Sequence, residues 1–103
     1  MITTDEGGGY YDSGEVRALD FFGDGTRIPL IVVSPYAKKG HVDHVYNDHV
    51  STLKFIERNW RLPTVSALSR DNLPNPRASD QRSQRSAGPS IGDLTSLFNF
   101  GDK

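Results

Sequence analysis

Asp5 and Glu6 stand directly before three glycines, Gly7, Gly8 and Gly9. Two hard carboxylate oxygens side by side suit Mg²⁺, Mn²⁺ or Ca²⁺, and could contribute to other metal sites. Neighbouring side chains point to opposite faces of a regular strand, so both carboxylates converge only where the backbone turns. The glycines permit that turn and a close approach of backbone to ligand. The plain alternative is a solvated acidic turn. A second group, His41, His44 and His49 with Asp43 and Asp48 between them, sets five possible ligands within nine residues. Imidazole is the commonest transition-metal ligand, but this spacing is not that of a helical zinc motif. The bland reading is a surface loop in which one histidine packs. Tyr36, Tyr46 and Trp60 read as packing residues rather than a stacking platform. Lys38-Lys39 reads as solvated, although it could steer a phosphate.

The elements that must position these groups are few. Residues 28–33 form a continuous apolar run closed by Ser34-Pro35, the pattern of a buried strand in a parallel or mixed sheet. Pro29 near its start is tolerable, since a first strand position need not donate a ladder bond. Val50, Leu53, Ile56 and Trp60 recur at helical spacing, with Asp48 as N-cap, His49 in the first turn and Leu62-Pro63 as the stop. Met1-Ile2-Thr3-Thr4 reads as the tail of a strand, with Asp5 to Gly9 as the loop at its carboxyl end. In open α/β sheets that is where ligands gather. Strand, loop and helix in that order predict an α/β protein.

Composition sets the limits. The chain has 103 residues, 12 Lys+Arg against 13 Asp+Glu, a net charge of -1 and no cysteine. There is no basic field for nucleic acid, no disulfide scaffold and no thiol nucleophile. The longest apolar runs fall far short of the roughly 20 residues a membrane span needs, and the N-terminus carries no charged-then-apolar signal. Only 35% of residues are hydrophobic, so any core is thin. Three regions follow: 1–65 holds the patterned α/β sequence, 66–90 is Ser/Arg/Pro/Asn/Gln-rich and reads as disordered, and 91–103 is a short apolar helix or turn that Ser90 or Asp93 could cap. Two strands and one main helix cannot close a doubly covered sheet. The expectation is therefore a C-terminal fragment of a larger enzyme, or a product begun at an internal Met.

Taken in order, these pieces resemble a known family. Thr3-Thr4-Asp5-Glu6-Gly7-Gly8-Gly9-Tyr10-Tyr11-Asp12, then Gly25 through Gly40, then Val42-Asp43-His44 and Asp48 through Glu57, look like the C-terminal third of the bacterial phosphoesterase family. That family includes the non-specific phospholipases C and related acid phosphatases. The closing Asp93-Leu94 and Phe98-Asn99-Phe100 look like its chain end.

The resemblance implies an alkaline-phosphatase-like α/β fold and hydrolysis of phosphate esters by a Ser or Thr nucleophile beside a divalent metal. It assigns Asp5 and Glu6 as metal ligands, treats Arg27 and Pro29 as structural, and marks His44 and His49 as recurrent positions that line the site. It further implies a phosphate-ester or phospholipid substrate and a secreted or periplasmic setting. Two departures stand out. Tyr11-Asp12 is followed by Ser13-Gly14-Glu15 rather than His-Val-Pro, and the Glu-Asn metal motif and nucleophile segment are absent. This stretch thus holds part of a site and is expected to be inactive alone. The alternative is a non-catalytic remnant acting as an interaction module. A sulfatase-type reading has no motif behind it.

Overall fold

The helix expected after residue 48 forms as α1, His49–Trp60, in a computed structural model that describes residues 1–14, 21–77 and 89–101. Asp48 is extended at the N-cap, and its carboxylate accepts the Val50 N–H at 2.8 Å. The Asp48 N–H in turn donates to the Ser51 hydroxyl, closing a capping box. At the other end Arg61 adopts the left-handed conformation, φ 55°, and the Leu62 N–H donates back to the Glu57 carbonyl at 2.8 Å. That is the C-terminal closure usually given to glycine, and Pro63 follows where the helix cannot continue.

The chain divides into two units, Met1–Pro35 and Tyr36–Lys103. In the first, β1 (Ile2–Thr3) pairs antiparallel with β2 (Leu30–Ile31), placing Ile2 opposite Ile31 and Thr3 opposite Leu30. The Thr3 hydroxyl adds a bond to the Pro29 carbonyl at 2.7 Å. The apolar run at 28–33 is therefore a strand for two residues only, and it is not buried. Ile31 is 56% exposed and Val33 78% exposed. A buried run needs sheet neighbours on both edges and a covering layer, and a two-pair ladder supplies one short neighbour only.

In the second unit α1 is turned opposite to its apolar stripe. Its buried residues are Ser51, Lys54 and Glu57, while Ile56 and Trp60 are exposed. Among the described residues the buried apolar side chains are Ile91, Leu94 and Phe98, all from the C-terminal segment. That segment is held by backbone bonds from Ile91 N–H to Pro74, Gly92 N–H to Tyr46, Lys38 N–H to Leu97 and Asn99 N–H to Tyr36. Phe98 stacks on Phe55 at 5.1 Å and on Phe100 at 5.1 Å, and Phe100 meets Tyr36 at 5.7 Å. The expected helix or turn after residue 90 is the 3₁₀ helix Thr95–Leu97, with the Asp93 carboxylate accepting the Thr95 N–H.

Polar side chains tie α1 to this segment. The Lys54 ammonium donates to the Leu73 and Ile91 carbonyls, both at 2.6 Å. Burial pushes it below the usual lysine value, while the carboxylates of Asp93, Asp48, Glu57 and Asp71 act to keep it charged. Asp93 accepts from Arg58 at 2.6 Å, from Asn75 at 2.7 Å and from the Thr95 hydroxyl. Burial raises the Asp93 carboxyl, but the bonds from Thr95, Asn75 and Arg58 outweigh it and bring it to about 2. Arg70 pairs with the capping Asp48 at 2.7 Å.

Residues 66–77, compositionally part of the low-complexity stretch, carry the 3₁₀ helix Arg70–Asn72 and a buried Asp71. Asp71 accepts the Val65 N–H at 2.7 Å, so a polar side chain does the ordering that apolar ones could not. The rest of that reading, residues 78–88, lies outside the described residues.

Two outcomes follow. Lys54→Met leaves two buried carbonyls without a donor and should destabilise the second unit by about 2–4 kcal/mol, read by urea denaturation of the helical ellipticity. Asp93 titrates lower in the folded chain, so its contribution is complete above about pH 4 and is lost as pH falls toward 2. Glu57 is raised by burial and by its bond to Asp71, and works in the opposite direction. The diagnostic is therefore a difference: Asp93→Asn should flatten the acid-side loss of helix stability that the wild-type chain shows.

Candidate functional site

β1 delivers the chain to Asp5 and Glu6 at its carboxyl end, and both residues are exposed. The Glu6 N–H donates to Asp5 Oδ1 at 3.0 Å, and the Thr4 hydroxyl donates to the Glu6 carbonyl at 3.1 Å. The glycines then reverse the chain. Gly8 and Gly9 lie at φ 64° and 70°, and the Tyr10 N–H returns to the Gly7 carbonyl at 3.3 Å. Gly7 serves a different need: a Cβ there would fall 1.9 Å from Thr26 Oγ1. The turn that follows the two carboxylates thus depends on glycine twice over, for handedness and for close approach.

Asp12 fixes the far side of this turn. Its carboxylate accepts the Gly14 N–H and the Arg27 N–H, both at 2.7 Å, and the Arg27 guanidinium at 2.6 Å. The Arg27 side chain, then the two amides, hold the Asp12 carboxyl well below the usual carboxylate range, and Asp12 raises Arg27 in turn. Between the turn and the approach to β2 lies an open cleft of about 400 Å³, lined by Gly7, Tyr10, Tyr11, Asp12, Thr26 and Arg27 among others. Sequence reading gave Arg27 a structural part without its partner. The signal for Asp12 was its place directly after the Gly-Tyr-Tyr turn.

His44 and His49 belong to the second unit, and both are exposed, as is His41. His49 is the first residue of α1. The two aspartates of that group have structural partners. Asp43 accepts from the Ser96 hydroxyl at 2.6 Å and from Asn47 at 3.3 Å, and Asp48 caps the helix and pairs with Arg70. Among the described residues no group of three or more His, Cys, Asp and Glu side chains is arranged to hold a metal ion. Asp5 and Glu6 fit two positions of an oxygen-rich shell, so further ligands would have to come from elsewhere.

Residues 1–63 match the model of the Phosphoesterase family. The chain is 30% identical to hemolytic phospholipase C of Pseudomonas aeruginosa over 97% of its own length and 14% of that protein's. It is 32% identical to non-hemolytic phospholipase C of Burkholderia pseudomallei, covering 97% of this chain and 16% of that one. Against phospholipase C B of Mycobacterium tuberculosis the identity is 37%, over 85% of this chain and 13% of the relative. The chain thus spans about one seventh of the length of the curated relatives it matches. No solved structure matches it.

The Asp12 clamp gives a direct test of how the turn is held. Asp12→Asn keeps the shape but removes the charge that both amides and the guanidinium address. Exchange of the Gly14 and Arg27 amides should speed up about tenfold by NMR, with the α1 amides unchanged. Gly7→Ala should move the turn away from Thr26, seen as altered shifts from Asp5 to Tyr10.

Proposed function

The chain belongs to the phosphoesterase family, and we propose that it is the C-terminal part of a hydrolase of the phospholipase C or acid phosphatase type. Its role there is to supply Asp5 and Glu6 as ligands to a divalent metal ion. The observation that carries this reading is their placement as adjacent, exposed carboxylates on a glycine turn beyond β1. The turn lies inside the stretch that matches the family.

When bound, the cation would neutralise charge on a phosphate ester. The chain's own part is to present oxygen ligands on a turn whose shape the Asp12–Arg27 clamp maintains. The relatives' name, phospholipase C, supports a phospholipid or other phosphate-ester substrate. The whole protein is proposed to act outside the cytoplasm, to adopt an alkaline-phosphatase-like fold and to use a Ser or Thr nucleophile contributed from beyond this stretch. No helix among the described residues is long and apolar enough to cross a membrane. The site-lining role of His44 and His49 is proposed from the resemblance alone; beside them Asp43 and Asp48 serve the fold.

In a complete phosphoesterase containing this stretch, Asp5→Asn or Glu6→Gln should lower turnover about 10²–10³-fold, the usual loss when one electrostatic contact to the transition state is removed. Both residues are exposed, so the fold should survive. His49→Ala should cost less. The isolated chain should hydrolyse no chromogenic phosphate ester with any added divalent metal. Wild-type turnover in both carboxylate variants would leave a solvated acidic turn as the better description.

A further inference from the structure

Glu57 and Asp71 are buried, at 7% and 5% exposed, and among the described residues neither takes part in a salt bridge. They come from different elements. Glu57 stands on the buried face of α1 with Ser51 and Lys54, and Asp71 on the 3₁₀ helix Arg70–Asn72 that packs against α1. Their carboxyl groups hydrogen-bond each other. Two carboxyl groups cannot do so when both are ionised, because each is then an acceptor only. One of the pair must hold a proton. The surroundings decide which. Asp71 accepts the Val65 N–H at 2.7 Å and lies beside the Ser69 hydroxyl, so its charged form is supported. No donor reaches the buried Glu57 Oε1. The cations nearby are already engaged: Lys54, one turn earlier, bonds the Leu73 and Ile91 carbonyls, Arg58 pairs with Asp93 and Arg70 with Asp48. Arg61, at the helix C-cap, is exposed. Burial, then Asp71, accordingly raises the Glu57 carboxyl against the opposing pull of Lys54, while Ser69 and the Val65 amide help to hold Asp71 low.

We propose that Glu57 and Asp71 share one proton that latches residues 65–73 onto α1, and that this segment lets go of the helix when rising pH removes the proton. The step is a single ionisation. The Glu57 carboxyl gives its proton to solvent water, and the donor that joined the two elements becomes a second acceptor. Like charges then face each other in a buried contact that holds no free cation among the described residues. A carboxyl raised by folding contributes fully below the ordinary glutamate range, and its contribution is lost as pH climbs through the raised value. The latch is therefore closed on the acid side and opens on the alkaline side. Asp93 behaves in reverse, since its support is lost only as pH falls toward 2. Opening also disturbs one end of the Lys54 contact, because Leu73 closes the same segment.

The test is NMR on the full chain with its carboxyl carbons labelled, followed from roughly pH 3 to 9. The Glu57 Cδ resonance should inflect above the ordinary glutamate range. Val65 amide protection, corrected for intrinsic exchange, should fall about tenfold for each pH unit between the ordinary and the raised value, and then level off. Glu57→Gln keeps a donor toward Asp71 and cannot ionise. Its Val65 protection should be independent of pH and should exceed that of the wild type at the alkaline end. The three histidines are present in both chains, so the difference between them reports Glu57 alone. Asp71→Asn removes the facing charge and leaves an amide oxygen for the Val65 N–H, so the Glu57 inflection should move down toward the ordinary range. A wild-type Glu57 inflection within that range overturns the proposal. So does an alkaline loss of Val65 protection that persists unchanged in Glu57→Gln. If either variant does not fold, the carbon titration of the wild-type chain decides by itself.

Discussion

An ammonium group taken out of water must be given oxygen partners, and Lys54 receives them from two distant points of the chain, the Leu73 and Ile91 carbonyls. The arrangement of residues 36–77 and 89–101 turns on this contact. It draws the turn at Arg70–Asn72 and the C-terminal segment onto one face of α1, where Asp93, Asp48 and Asp71 then find Arg58, Arg70 and the Val65 amide. The apolar contribution is small by comparison: Ile91, Leu94 and Phe98, extended by the stack from Phe55 to Tyr36. A unit held this way is specific in register but thin in hydrophobic stabilisation, because charge-assisted bonds fix geometry more than they add net free energy.

The first unit solves a smaller problem by similar means. Its ladder is two pairs long, so the turn that carries Asp5 and Glu6 cannot rely on sheet strength. Asp12 supplies the missing constraint by gripping residues 14 and 27 at once. The division of labour suits the metal-binding role proposed for the turn. The carboxylates remain solvated and accessible at the strand end, while a different carboxylate, neutralised by Arg27, does the structural work. Arg27 thus acts on the turn through Asp12.

Where a local rule governs, the sequence was readable: the Asp48 cap, the helix through Trp60, the stop at Leu62-Pro63 and the turn at Gly7 to Gly9 all follow from capping, periodicity and glycine chemistry. The Asp5-Glu6 pair was legible as a motif, and the role proposed for it came from the order of several motifs along the chain. Burial was not legible. Helical spacing identifies an apolar stripe but says nothing about which layer covers it, and here the layer present is polar. The buried lysine was invisible for the same reason, since its partners are backbone carbonyls that carry no sequence signature. Composition pointed to disorder after residue 65 by counting apolar side chains, yet Asp71 orders part of that stretch through hydrogen bonds.

These mismatches share one cause. Periodicity records the environment in which a segment evolved to pack, whereas the isolated fold records only the partners at hand. For α1 the two differ by the outward apolar stripe, and for residues 28–33 by an exposed run where a buried strand was expected. Both discrepancies have the same sign: among the described residues, apolar side chains that the pattern expects to be covered are exposed. The polar contacts of Lys54, Asp93, Asp12 and Asp48 are satisfied within their own units, while Glu57 Oε1 and Asn47 Oδ1 are buried without a hydrogen-bond partner. The Asp12–Arg27 clamp lies wholly within the first unit, so the shape of the turn at Asp5 to Gly9 does not depend on what covers α1.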